Sequence, residues 1–255
     1  MTVRELYAQL NEKIPPSLSC EWDNDGLMCC PDGDREVRRV LIALDVTERV
    51  VREAIEGGYD VILSHHPFIF KGLKAVDEEH YIGAKTIDLI REGISVMSFH
   101  TRLDAVRGGV NDCLASLLGL EHVRPLVSAD GELGRVGEIP AETDLGDFAE
   151  TVRDILGAPF VLTADAGRRV RTVAVLGGEG SDEIEAARAA GADTFVSGRL
   201  GYHRMTDAPE QGINLIEAGH YYTENPVCDR LADLLLEIDG SLVCDVTESG
   251  CILAV

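Results

Sequence analysis

Three places in this chain put imidazole and carboxylate where metal chemistry needs them. The first is Ser64-His-His-Pro67, where an apolar run from Val61 to Leu63 stops at two adjacent histidines, His65 and His66. The others are His100-Thr-Arg-Leu-Asp104 and His220-Tyr-Tyr-Thr-Glu224, each a histidine followed four residues on by a carboxylate. Nitrogen and oxygen donors of this kind suit Zn, Fe, Mn, Co or Ni. One ion uses three or four of them. Five or six, including two carboxylates able to bridge, suit two ions about 3.5–4 Å apart, the spacing used to activate water. Asp104 or Glu224 is the natural bridge. Neighbouring side chains on an extended backbone point apart, so His65 and His66 could serve one ion each only if the strand ends before them. An i,i+4 pair on a helix can also be mere side-chain pairing. Here every member follows a strand's carboxyl end, where α/β sheets bind ligands. His80, His122 and His203 fall outside the pattern and read as ordinary surface or core side chains.

The elements that would present these groups can be read along the chain. Thr2-Val-Arg-Glu5 is a capping box, and its helix runs to about Lys13 before Pro15-Pro16 stops it. The loop after it holds the only tryptophan, in Glu21-Trp-Asp-Asn-Asp-Gly26; this is a structural turn with a half-buried ring, or a border of the site. Arg39 to Leu44 reads as a strand, Thr47 caps a helix through Ile55 closed by Gly57-Gly58, and Val61 to Leu63 is the next strand. Such a unit implies parallel strands with a right-handed crossover. A helix from Glu79 to Arg91, a strand from Ile94 to Phe99 and a helix from Val110 to Leu118 follow.

Beyond them, Leu120 to Pro140 reads as short strands, Asp144 to Leu156 as a helix and Phe160 to Thr163 as a strand. The strand Arg171 to Leu176 runs into Gly177-Gly-Glu-Gly180, a tight turn or a phosphate cradle, and Ser181 caps a helix to about Ala190. Strands at Asp193 to Val196 and Ile213 to Ile216 flank helical residues after His203. A helix from Val227 to Leu236 and strands near Leu242 to Val246 and Ile252 to Val255 complete the pattern.

The chain repeats itself. Arg38-Arg-Val-Leu-Ile-Ala aligns with Arg171-Thr-Val-Ala-Val-Leu, and at the same offset Asp60 meets Asp193 and Ser64 meets Ser197. Gly198-Arg199 then takes the places of His65-His66. The expected fold is α/β, two related α/β lobes with mainly parallel sheets flanked by helices. Residues 1–125 form the first lobe and 126–255 the second, with the C-terminal segment able to pack back on the first.

Composition narrows the classes. Of 255 residues, 45% are hydrophobic and 5% aromatic, and no apolar run approaches a membrane span. The N-terminus starts a helix, so the expected compartment is the cytoplasm, with no membrane partner. The seven cysteines have no CxxC spacing; vicinal Cys29-Cys30 is either a soft-metal site or a pair of reduced thiols. A net charge of −22 argues against nucleic acid as a partner. Scarce lysine with abundant Asp and Glu points to a halophilic habitat, where salt screens self-repulsion.

Trp22-Asp-Asn-Asp-Gly-Leu, Ala43-Leu-Asp-Val-Thr, Ser64-His-His-Pro-Phe-Ile-Phe, His100-Thr-Arg-Leu-Asp-Ala, Gly108-Gly-Val-Asn-Asp and Glu217-Ala-Gly-His-Tyr-Tyr-Thr-Glu resemble the Nif-three-like family, also called GTP cyclohydrolase 1 type 2-like. The resemblance runs nearly end to end. It implies a two-lobed α/β protein with a dinuclear metal site between lobes, assembled as a hexameric ring. It also implies His65, His66, Asp104, His220 and Glu224 as metal ligands, with Glu224 bridging and His100 beside the metals. Two departures stand out: Arg199 replaces a usually acidic residue, and Cys29-Cys30 stands where small or polar residues are expected.

Two functions are open on this reading. One is a dinuclear metal-dependent hydrolase acting on a small-molecule, nucleotide-like substrate, GTP ring opening being what the family name implies. His100 would shuttle protons there and Arg199 would meet a phosphate. The other is a non-enzymatic metal-binding scaffold, metal-insertion factor or regulatory protein.

Overall fold

Thr2 caps the first helix as its sequence requires. Its hydroxyl accepts from Glu5 N–H, while the Glu5 carboxylate accepts from Thr2 N–H at 2.8 Å. The computed structural model describes residues 1–252. They divide into two units, Met1–Val106 with the chain from Cys228 on, and Arg107–Val227.

The first unit runs α1 (Val3–Lys13), β1 (Gly26–Cys29), β2 (Arg39–Ala43), α2 (Glu48–Gly57), β3 (Val61–Ser64), α3 (Tyr81–Glu92), β4 (Ser95–Ser98) and α4 (Thr101–Ala105). The second holds α5 (Val110–Leu117), β5 (Glu121–Ser128), β6 (Gly131–Thr143), α6 (Leu145–Leu156), β7 (Leu162–Ala164), β8 (Val170–Glu179), α7 (Ile184–Ala189), β9 (Thr194–Arg199), α8 (Tyr202–Asp207), β10 (Asn214–Glu217) and α9 (His220–Glu224). After α10 (Val227–Ile238), β11 (Val243–Val246) joins the first unit's sheet, pairing in parallel with β2.

The first sheet has the order β1-β4-β3-β2-β11 and the second β5-β6-β8-β9-β10-β7. In the first, β4, β3, β2 and β11 are parallel and β1 is an antiparallel edge. In the second, only β8, β9 and β10 are parallel. Strands β3 and β4 are buried on both faces, as their apolar runs require. The first core packs Leu41, Ile62 and Val96 of the sheet against Val50, Val51 and Ala54 of α2 and Leu89 of α3. The second sheet has apolar residues on both faces. Val173, Val175 and Val196 pack with Leu114 and Phe148, while Ala174, Leu176 and Phe195 pack with Ile184 and Ala187.

The repeat is structural, since β2-β3-β4 and β8-β9-β10 are the same parallel triplet. Asp60 accepts from the N–H groups of Arg38 and Arg39, and Asp193 from those of Arg171 and Thr172. Each carboxylate ties the start of one strand to the start of its neighbour. At the far end, Phe99 N–H reaches Ser64 O and Ala218 N–H reaches Ser197 O.

Several elements differ from expectation. The stretch expected as short strands is one long hairpin, β5 and β6, turning at Ala129-Asp130, and Gly131 at the start of β6 takes a φ of 109°. Strand β8 does not stop at Leu176 but continues through Gly177 and Gly178 to Glu179, with a register shift and a φ of 69° at Gly178. Ser181 caps nothing; the next helix begins at Ile184 without a side-chain cap. Helix α8 begins before His203, at Tyr202. The division between units falls at 106/107 where 125/126 was expected, because α5 belongs with β6 and β8. Asn111 holds Leu133 O and Gly177 N–H, and Asp112 holds Arg135. Ile252 is irregular, and the rest of the strand expected there, 253–255, lies outside the described residues.

Candidate metal centre

Strand β3 ends at Ser64, so His65 and His66 are not constrained to opposite faces. Their ring centroids are 5.0 Å apart, and the His100 ring lies 5.3 Å from His65 and 5.8 Å from His66. His65, His66 and His100 each offer a ring nitrogen, and these atoms all lie within 4.8 Å of one another. His65 is fully buried, and the other two are half-buried.

Each of the three rings is fixed through Nδ1. His65 Nδ1 lies 2.9 Å from Phe99 O, His66 Nδ1 lies 2.7 Å from Asp45 Oδ1, and His100 Nδ1 lies 2.9 Å from Asp23 Oδ1. A carbonyl or carboxylate oxygen only accepts, so Nδ1 donates in all three. The lone pair of each neutral ring is then on Nε2, the tautomer and orientation that metal-binding histidines are given by their outer partners. Asp104 Oδ1 lies 3.8 Å from His65 Nε2, too far for a hydrogen bond and within the span of two ligands on one ion. This donor set fits a divalent transition metal.

The carboxylates that hold these rings are themselves held. Asp23 accepts from Thr101 N–H and Oγ1–H as well as His100. Burial alone would raise the Asp23 pKa, but these hydrogen bonds and the charge of His100 hold it well below the usual carboxylate range. Asp25 accepts from His100 N–H and from the buried Arg102, whose guanidinium also donates to Asn11 and Ile14 O and lies 4.2 Å over the Phe99 ring. Ser249 Oγ lies 3.1 Å from Asp45 Oδ2.

In the second unit, His220 and Glu224 face one another across one turn of α9, with Nε2 3.0 Å from Oε2. The Glu224 side chain is 5% exposed and that of His220 44%. The glycines of β8 and β9 make room for them. A Cβ on Gly178 would meet Glu224 Oε1 at 2.2 Å, and one on Gly198 would meet His220 Cα at 2.7 Å and Thr223 Oγ1 at 2.6 Å. Gly177-Gly178 is therefore neither a turn nor a phosphate cradle but the floor under α9. The same closeness explains why the repeat has Gly198 where the first unit has His65.

A family model for Duf34/NIF3 (NGG1p interacting factor 3) matches residues 1–249. The chain belongs to the Duf34/NIF3 family. A GTP cyclohydrolase 1 type 2 homolog of Clostridium perfringens is 32% identical over 244 residues, covering 93% of this chain and 92% of its own. A Bacillus cereus protein related to NIF3 shares the fold at a TM-score of 0.91 and 25% identity, covering 100% of this chain and 99% of its own. The protein ybgI, described as of unknown function, matches at a TM-score of 0.88 and 25% identity over 98% of this chain and 99% of its own. The motif resemblance is borne out at the level of family and fold.

In this Duf34/NIF3 chain, sequence reasoning gave Asp45 no role, and had Asp23 and Asp25 only as the acidic neighbours of Trp22 in a loop that was one of two things, a structural turn or a border of the site. A signal for Asp45 was present, since it follows strand β2 just as His66 follows β3. Asp23 and Asp25 lie in the Trp22 loop, whose acids hold His100 and α4. Arg199 is exposed, its Nε 3.6 Å from Glu179 Oε2. Cys29 is buried; burial, with Cys30 beside it, pushes its thiol up to about 11, the opposite of what a thiolate ligand needs. None of the seven cysteines is in a disulfide. Among the described residues no helix is long and apolar enough to cross a membrane.

Proposed function

We propose that this chain is a metal-dependent hydrolase acting on a nucleotide-like substrate, with His65, His66, Asp104, His220 and Glu224 holding two divalent ions. The observation that carries the reading is the fixing of His65, His66 and His100 through Nδ1 by three separate oxygen acceptors. Three rings oriented in this way are a prepared donor set, anchored as metal-binding histidines are. The naming of relatives as GTP cyclohydrolase 1 type 2 homologs supports GTP as the first substrate to try.

Bound divalent ions supply Lewis acidity and lower the pKa of a water molecule. The chain's own residues do the rest. Asp23 holds the Nδ1–H of His100, which leaves Nε2 as the atom that takes up or hands on a proton. Asp45 does the same orienting work for His66. Arg102 and Asp25 keep the backbone of His100 in place.

The test is turnover. Protein with full metal occupancy, offered GTP and a panel of other nucleotides, is expected to release formate or phosphate. Glu224→Gln should reduce that release by at least about a hundredfold, as loss of a key charged group does. Absence of release from every nucleotide would refute the hydrolase and leave a metal-binding protein without turnover.

A further inference from the structure

The chain has only four lysines, Lys13, Lys71, Lys74 and Lys85, against 45 acidic residues. Three of the four line one open cleft of about 1390 Å³ in the first unit, and His66 and Phe70 line the same cleft. A protein with a net charge of −22 that gathers three of its four lysines in one cleft, beside four acidic residues, concentrates its ammonium groups there.

The cleft also has acidic residues, and their partners decide its character. Asp45 holds His66 and Ser249. Glu48 pairs with Arg52 at 2.6 Å, Asp77 accepts from the N–H groups of Glu79 and His80, and Asp88 lies 3.9 Å from Arg91. Lys71 and Lys74 are exposed and make no side-chain hydrogen bond or ion pair among the described residues. Lys85 donates to Val46 O and lies over the Phe68 and Tyr81 rings at 5.2 and 5.5 Å. An ammonium has three donors, so two remain for a ligand. The acids of this wall are engaged, while Lys71 and Lys74 are not.

Beside the cleft stand two exposed aromatic side chains. Trp22 is 55% exposed and Phe70 44%. Their ring centroids are 6.4 Å apart, and each is 6.2 Å from the His100 ring. Exposed aromatic faces of this kind take planar rings by stacking. Phe70 belongs to both features, so one small molecule can reach from the aromatic pair to the lysines.

We propose that this cleft binds the phosphate groups of a ring-bearing ligand through Lys71, Lys74 and Lys85, with the ring against Trp22 and Phe70. It rests on the nucleotide-like substrate proposed above and adds the residues that read its charged and planar ends.

The test compares GTP with guanosine on the protein as purified. Binding is read by calorimetry and by quenching of Trp22, the only tryptophan. The wild type is expected to bind GTP at least about tenfold tighter than guanosine, because charge-assisted contacts to phosphate strengthen binding. The double variant Lys71→Ala/Lys74→Ala, which keeps Lys85, should shrink the preference for GTP over guanosine by at least about threefold and leave guanosine binding unchanged. Lys71→Arg/Lys74→Arg should keep the difference. Equal affinity for the two ligands in wild type, a difference undiminished in the alanine variant, or no binding of either would overturn the proposal. Elemental analysis matches the metal content of all variants, so only the lysines differ. Turnover is not read. A lost lysine effect therefore refutes this subsite alone, and missing turnover with the lysine effect intact refutes the hydrolase alone.

Discussion

At the scale of single residues, the centre depends on side chains that never touch a ligand. Asp45 fixes the ring of His66 and Asp23 that of His100. Removing such a partner leaves the imidazole in place but frees its rotation and tautomer. Asp45→Ala is expected to lower metal affinity about 10- to 100-fold, read by competition with a fluorescent chelator. Affinity equal to wild type would mean that His66 is not a ligand. The histidines themselves were legible in the sequence because they follow strand ends. Their partners were less so. Asp23 and Asp25 lie 77 and 75 positions before the residues they hold, in a loop with no periodicity to place it.

At the scale of elements, the glycines of β8 and β9 decide where α9 lies. Gly178 has a φ of 69°, and a Cβ there would overlap the Glu224 carboxylate. Gly178→Ala is expected to cost about 2 kcal/mol or more, from the backbone conformation and the displaced side chain together. It should also lower the metal content of the purified protein; unchanged content would show that Glu224 is dispensable. The sequence reading ended β8 too early, because Gly-Gly usually signals a turn and here signals close approach. Helix α5 gives a second case. Burial works against ionisation of Asp112, but hydrogen bonds from Arg135 and Gly108 N–H outweigh it and hold the pKa below the ordinary 3.8. A lowered folded-state pKa adds stability that is complete above the unfolded value and lost as pH falls through the folded one. Asp112→Asn should therefore cost about 2 kcal/mol at neutral pH, discounted for the partial exposure of Asp112. In acid melts the gap to wild type should narrow below about pH 4. A gap independent of pH would place the effect in packing instead.

At the scale of the whole molecule, one strand–helix–strand pattern has been used twice and then specialised. Asp60 and Asp193 do identical work at the strand starts, and that identity was legible as an offset in the sequence. The strand ends diverged. The first unit keeps His65 and His66 beside His100, while the second has glycine there and carries its histidine and carboxylate on α9. The return of the C-terminal segment to the first lobe was among the expectations, but its pairing with β2 could not be read from local pattern, because β11 joins a sheet begun some 200 residues earlier. The central claim is that these specialised ends hold metal. It is tested most directly by elemental analysis of the purified protein beside a His65→Ala/His66→Ala variant that remains folded by circular dichroism. About two divalent transition-metal ions per chain are expected in wild type, and their loss in the variant. Wild-type protein without such metal, or a variant that retains it, would contradict the account.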